Sequence, residues 1–85
     1  MKKFVKVEQT VEVEVDEAKF TQDFMAEFRE VMYPFASLNE HICHLGQLHA
    51  RGLADDLSFI EGYGPAKAMG IRFRVVDAGE EIVPE

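Results

Sequence analysis

This chain is short of cysteine, of basic residues and of long apolar runs, and each shortage removes a class of protein. One thiol, Cys43, cannot build an intrachain disulfide framework, so a reducing cytoplasm is the expected compartment. No stretch approaches the length needed to cross a bilayer. The opening Met1-Lys2-Lys3-Phe4-Val5-Lys6 is interrupted by charge and does not read as a signal peptide. Nine Lys and Arg against 16 Asp and Glu leave a net charge of −7, which opposes nucleic acid and anionic membrane as partners. Basic protein surfaces are the electrostatically natural alternative.

What is present is enough for one domain. Over 85 residues, 47% are hydrophobic and seven are Phe, so residues 1–85 can close a single modest core and no second one. Residues 4–15 alternate: Val5, Val7, Val11, Val13 and Val15 point one way, while Lys6, Glu8, Thr10, Glu12 and Glu14 point the other. A period of two with β-branched residues predicts a long strand, and Gln9 alone breaks its apolar face.

From Asp16 the period changes to that of a helix. Phe20, Phe24, Phe28, Val31 and Phe35 share one arc, widened by Met25 and Met32. Asp16 or Thr21 can cap the start, and Pro34 stops the helix near Met32 or Tyr33. Ser37 followed by Glu40 has the form of a capping box and opens a second helix with the stripe Leu38, Ile42, Leu45 and Leu48. Gly52 closes it as a left-handed cap. A short third helix is expected from Asp55 through Ile60 or Glu61. Gly62-Tyr63-Gly64-Pro65 reads as a loop, with one more helical turn from Pro65 to Gly70.

The last segment is again a strand, with Ile71, Phe73 and Val75 on one face and Arg72, Arg74 and Val76 on the other. Charge sets its pairing with the first. An antiparallel register that matches Val13 with Phe73 and Val11 with Val75 also sets Glu14 against Arg72 and Glu12 against Arg74. After Asp77-Ala78-Gly79 the chain either turns into a short hairpin or bulges and continues as a strand through Val83. The bulge is favoured, and one extra residue at Gly79 then brings Lys6 to Glu81 and Val5 to Ile82. The expected fold is therefore α+β, ordered β-α-α-(short α)-β. Its two long terminal strands run antiparallel, with their valine-rich surfaces buried under helices packed on one face.

Candidate chemistry is sparse. His41 and His44 lie about a turn apart on the second helix and can jointly approach a transition metal, with Glu40 nearby, but four ligands are needed to close a zinc site and no second cluster supplies them. The expectation for His41 and His49 is hydrogen-bonded, partly buried imidazoles, and for His44 ordinary helix surface. Cys43 and His44, adjacent in sequence, project about 100° apart on a helix, so His44 cannot orient the thiol. Gly62, Gly64, Pro65 and Lys67 imitate a phosphate cradle, yet Pro65 removes a donor where a phosphate needs one. No catalytic residue, cofactor or metal is therefore assigned, and an enzyme is not expected. The exposed acidic residues remain: Asp23, Glu27 and Glu30 along the first helix, then Asp55 and Asp56 after the second. Carboxylates at helical spacing stand about 6 Å apart, comparable to successive phosphates on a nucleic-acid strand.

The run from Val11 to Phe28, together with Glu61-Gly62-Tyr63-Gly64-Pro65 and Gly70-Ile71, resembles small accessory proteins of phages and mobile elements. That resemblance implies a setting in the host cytoplasm, where proteins of this size inhibit defence or regulatory machinery, anti-CRISPR proteins among them. The leading expectation is a non-enzymatic acidic module that binds a host protein by covering its basic, nucleic-acid-binding surface. A structural or assembly role as a homodimer comes second. A small metal or ligand binder through His41 and His44 comes third.

Overall fold

Alternating valine and glutamate at one end of the chain, and alternating apolar and arginine residues at the other, give two strands that fit each other. The computed structural model describes residues 1–84. In chain order the elements are β1 (Val5–Glu14), a 3₁₀ turn (Glu17–Lys19), α1 (Gln22–Val31), α2 (Leu38–Ala50), β2 (Phe59–Ile60), β3 (Gly64–Pro65), a second 3₁₀ turn (Ala66–Met69) and β4 (Arg72–Ile82). The fold class is α+β. No helix among the described residues is long and apolar enough to cross a membrane.

β1 and β4 pair antiparallel, with Glu14 opposite Arg72, Glu12 opposite Arg74, Val13 opposite Phe73 and Val11 opposite Val75. Beyond a bulge the pairs are Thr10–Asp77, Lys6–Glu81 and Val5–Ile82. Both ends of the expected register hold. The extra residue, however, is Val76, not Gly79, because the shift falls between Thr10 and Val11. A bulge leaves one residue without a cross-strand partner. Placing it at Val76 lets Asp77 join the polar face beside Thr10. Arg74 and Glu12 meet across the strands at 2.9 Å, as the charge pattern requires.

Both predicted caps before α1 are used. Asp16 accepts from the Ala18 amide and caps the 3₁₀ turn, while Thr21 accepts from the Phe24 amide and caps α1 itself. α2 starts at Ser37 and ends against Gly52, whose φ of +74° supplies the left-handed cap and lets Leu53 N–H reach back to the Leu48 carbonyl.

Three expectations fail here. The short helix from Asp55 does not form. Asp55 accepts from the Leu57 amide while its own amide donates to Ser58 Oγ, and such local side-chain bonds compete with helix. The segment makes a turn, then the two-residue β2–β3 pair. Val31 does not join the core arc; it ends α1 at 76% exposure. The valine surface of the ribbon is only half covered. Val11, Val13 and Val15 are partly buried, and Val13 packs against Gly46 of α2, whereas Val5 and Val7 stand 55% and 67% exposed and Ile82 62%. The reason is length: a 13-residue helix spans ~20 Å, and a ten-residue strand roughly 33 Å. The ribbon outruns its helix and makes the molecule 50 Å long and only 23 by 19 Å across.

The core gathers at the other end. Phe20, Phe28, Leu45, Ala54, Ile60, Tyr63, Ala66 and Ile71 are buried, with Phe24, Phe35, Leu38, Leu48 and Phe73 packed around them.

Candidate functional site

The acidic residues fall into two unlike groups. Asp23, Glu27 and Glu30 are exposed along α1 at spacings of four and three, so they share a helix flank. None has a cation within ion-pair distance among the described residues; the ion pairs there are Lys6–Glu8 and Arg74–Glu12. Arg29, the cation on α1, instead donates to the Phe35 carbonyl. Asp55 and Asp56 lie on a separate element, the loop after α2, and their carboxylates already serve the fold. Asp55 Oδ1 holds the Leu57 amide at 2.8 Å, and Asp56 Oδ1 takes the Phe73 amide of β4 at 2.7 Å. The structure thus keeps the α1 row free and ties the other pair to backbone.

The imidazoles are built into the aromatic core. His41 is fully buried, with Nδ1 2.8 Å from the Tyr63 hydroxyl. Burial pushes the Tyr63 hydroxyl well above the ordinary tyrosine range, so the phenol keeps its proton. His41 Nε2 has no polar partner among the described residues. The ring lies edge-to-face with Phe28 at 4.7 Å and Phe35 at 5.1 Å, an arrangement in which an N–H can rest on an aromatic face. His44 is half-buried between Tyr33 and Phe35, at 5.0 and 5.3 Å, and so is not the plain surface residue its position suggested. His49 donates from Nδ1 to the Ala54 carbonyl at 2.7 Å, and it stacks on Phe73 at 4.6 Å.

Two shallow hollows flank α2. One, of about 600 Å³, is lined by Tyr33, Phe35, Glu40, Cys43, His44 and Gln47, among others. The second, of about 410 Å³, lies between β1 and α2 and takes in Gln9, Val11, Val13, Ile42, Gly46 and Ala50. Cys43 and His44 share the first hollow, but no hydrogen bond joins them among the described residues, so the thiol lacks a base to activate it. No group of three or more His, Cys, Asp or Glu close enough to hold a metal occurs among the described residues. His41, moreover, has committed Nδ1 to Tyr63.

Tyr63 is the residue that sequence reasoning missed. Its signal was the pair of flanking glycines: Gly62 and Gly64 both adopt positive φ, +88° and +86°, which turns the loop so that Tyr63 points inward. Comparison with protein-family models, with curated proteins and with solved structures returns no match for this chain.

Acid should loosen this core. Burial lowers the pKa of His41, reinforced by the nearby His44 and opposed by Glu40, and burial lowers His44 as well. The unfolded chain, with imidazoles near 6.5, therefore takes up protons before the folded one does. Stability is full above that pH and falls as pH drops below it, by at most about 1.4 kcal/mol per pH unit for each histidine. Thermal unfolding followed from pH 7.5 to 5 should show a falling midpoint, and the fall should shrink in His44→Gln. A midpoint that rises on acidification would contradict the buried neutral imidazoles.

Proposed function

We propose that this chain is a non-enzymatic protein-binding module that presents a row of carboxylates to a partner with a basic, nucleic-acid-binding surface. The supporting observation is the exposed row Asp23, Glu27 and Glu30, which makes no ion pair among the described residues, on a helix anchored by the buried Phe28. Carboxylates on a rigid helix stand in for phosphates at similar spacing and need no deformation to bind. Asp55 and Asp56 contribute to the negative field but, being bound to backbone amides, make weaker contacts. The phage-like resemblance supplies a setting, the host cytoplasm, and an inhibitory role of the anti-CRISPR kind.

The test is charge reversal. Capture from a host lysate at low salt should retain a nucleic-acid-binding protein that heparin displaces. The variant Asp23→Lys/Glu27→Lys/Glu30→Lys should lose it about tenfold or more, since each exposed pair is worth roughly 0.2–1 kcal/mol and reversal adds repulsion. Undiminished capture by the triple variant rules the acidic row out.

One observation favours a second reading, an assembly role as a homo-oligomer. The distal ribbon leaves Phe4, Val5, Val7, Ile82 and Val83 exposed, and a two-stranded ribbon with nothing packed on it is marginal in water.

A further inference from the structure

We infer that β1 pairs with β1 of a second copy, antiparallel and centred on Gln9, to make a four-stranded sheet; this rests on the assembly reading just given.

Hydrogen-bond direction selects the edge. Phe73 sends its amide to Asp56, away from β1, whereas Val83 donates across the ribbon to the Phe4 carbonyl at 2.7 Å. Bonded and non-bonded pairs alternate along an antiparallel ladder. Even-numbered residues of β1 therefore face β4, while Val5, Val7, Gln9, Val11 and Val13 turn N–H and C=O to the open edge. No backbone hydrogen bond among the described residues reaches that edge. The outer edge of β4 is less inviting: Asp56 occupies it at Phe73, and Asp77, Glu80 and Glu81 crowd its far half.

Charge then selects the register. Only odd residues can form the bonded pairs, so the choice is among a few two-fold arrangements. Centring on Glu8 opposes it to its own copy, and centring on Thr10 opposes Glu8 to Glu12, both like-charge pairs that destabilise a sheet. Centring on Val7 avoids repulsion but leaves Val11 and Val13 outside the strand overlap. Centring on Gln9 pairs Val5 with Val13, Val7 with Val11, Lys6 with Glu12 and Glu8 with Thr10 across the two copies. No like charges meet and the whole strand is used. Gln9, the one polar residue on the valine face, falls beside its own copy, where two side-chain amides can hydrogen-bond and penalise slipped registers.

Packing agrees. Exposed Val5 and Val7 of one copy come to lie beside partly buried Val13 and Val11 of the other. Those residues border the 410 Å³ hollow under Ile42, Gly46 and Ala50. The surface that α2 is too short to cover is thereby shielded by the second copy.

The test uses proline. Gln9→Pro removes an amide proton that the single copy does not use, and an edge strand tolerates that change. Sedimentation equilibrium of the native chain should return twice 9.7 kDa, and Gln9→Pro should return 9.7 kDa with an unchanged circular dichroism spectrum. Gln9→Cys in a Cys43→Ser background should cross-link to a dimer under mild oxidation, with Thr10→Cys cross-linking at least several-fold less. A native chain sedimenting at 9.7 kDa at high protein concentration overturns the assembly reading and this inference together. A native dimer that survives Gln9→Pro, or that cross-links better at position 10, overturns the β1 pairing alone. The charge-reversal test of the acidic row is independent of every one of these outcomes.

Discussion

His41→Ala is expected to destabilise the protein by about 3–5 kcal/mol, among the largest single losses available to this chain. Truncation empties a site enclosed by Phe20, Phe24, Phe28 and Phe35, and large-to-small changes in a close-packed core cost about 2–5 kcal/mol. It also strands the Tyr63 hydroxyl, buried with the core, whose one hydrogen-bond partner among the described residues is His41 Nδ1. An orphaned buried donor adds about 1–3 kcal/mol. A domain of this size has roughly 4–13 kcal/mol in total, so the variant should be substantially unfolded at 37 °C. Urea denaturation followed by circular dichroism measures the loss. The informative companion is His41→Leu with Tyr63→Phe, which removes both polar partners and keeps most of the volume. It should recover to within about 1.5 kcal/mol of the native chain, because a satisfied pair replaced by apolar groups of similar shape is nearly neutral. If the double variant is as unstable as His41→Ala, the hydrogen bond is not what the site depends on.

Gly62→Ala comes second, at about 2–4 kcal/mol. The residue sits at φ +88°, where any side chain is strained by roughly 1–2 kcal/mol. A Cβ there would also lie 2.7 Å from Phe28 Cε2 and 3.1 Å from Met32 Cγ. Phe28 is buried and cannot swing aside, so the loop must shift, which moves Tyr63 off His41 and adds an overpacking cost of about 1–3 kcal/mol. Gly64→Ala is the control. Its φ is equally positive, but no atom lies within 4 Å of the added methyl, so it should show the backbone strain alone. A Gly62→Ala variant no worse than Gly64→Ala in the same urea titration would mean that the contact with Phe28 relaxes freely.

The ribbon was legible because its information is local and redundant. Alternation in β1 and β4 names the faces, and Glu12 with Arg74 fixes the register without reference to the rest of the chain. The bulge was foreseen in kind but misplaced by three residues, since glycine is a habitual bulge residue and valine is not. What chose Val76 was the pairing of Thr10 with Asp77, a long-range preference invisible along one strand. The helices were readable for the same reason, with Thr21 and Ser37 serving as the caps their positions implied. The segment after α2 was not. Asp55 and Ser58 suit a helix start and a turn equally well in sequence. Their local bonds favour the turn, and Asp56 reaching Phe73, seventeen positions away, ties that turn to β4. The candidate surface was half legible. Composition shows the acidic surplus, but only coordinates separate the three free carboxylates on α1 from the two that hold backbone. The exposed distal valines had no signal at all, because coverage depends on the relative lengths of a helix and a strand.

The Asp56–Phe73 bond has a consequence for how far association can run. A sheet with two vacant sides can add copies indefinitely, which is the geometry of fibres. Here one side is stopped by a carboxylate from a loop and lined farther along with acid, leaving a single side able to accept another strand. On the β1 pairing proposed above, growth is self-limiting: one addition consumes both vacant sides and the product has none to offer. On the same pairing, Asp56→Ala would remove that stop and leave the dimer an open end.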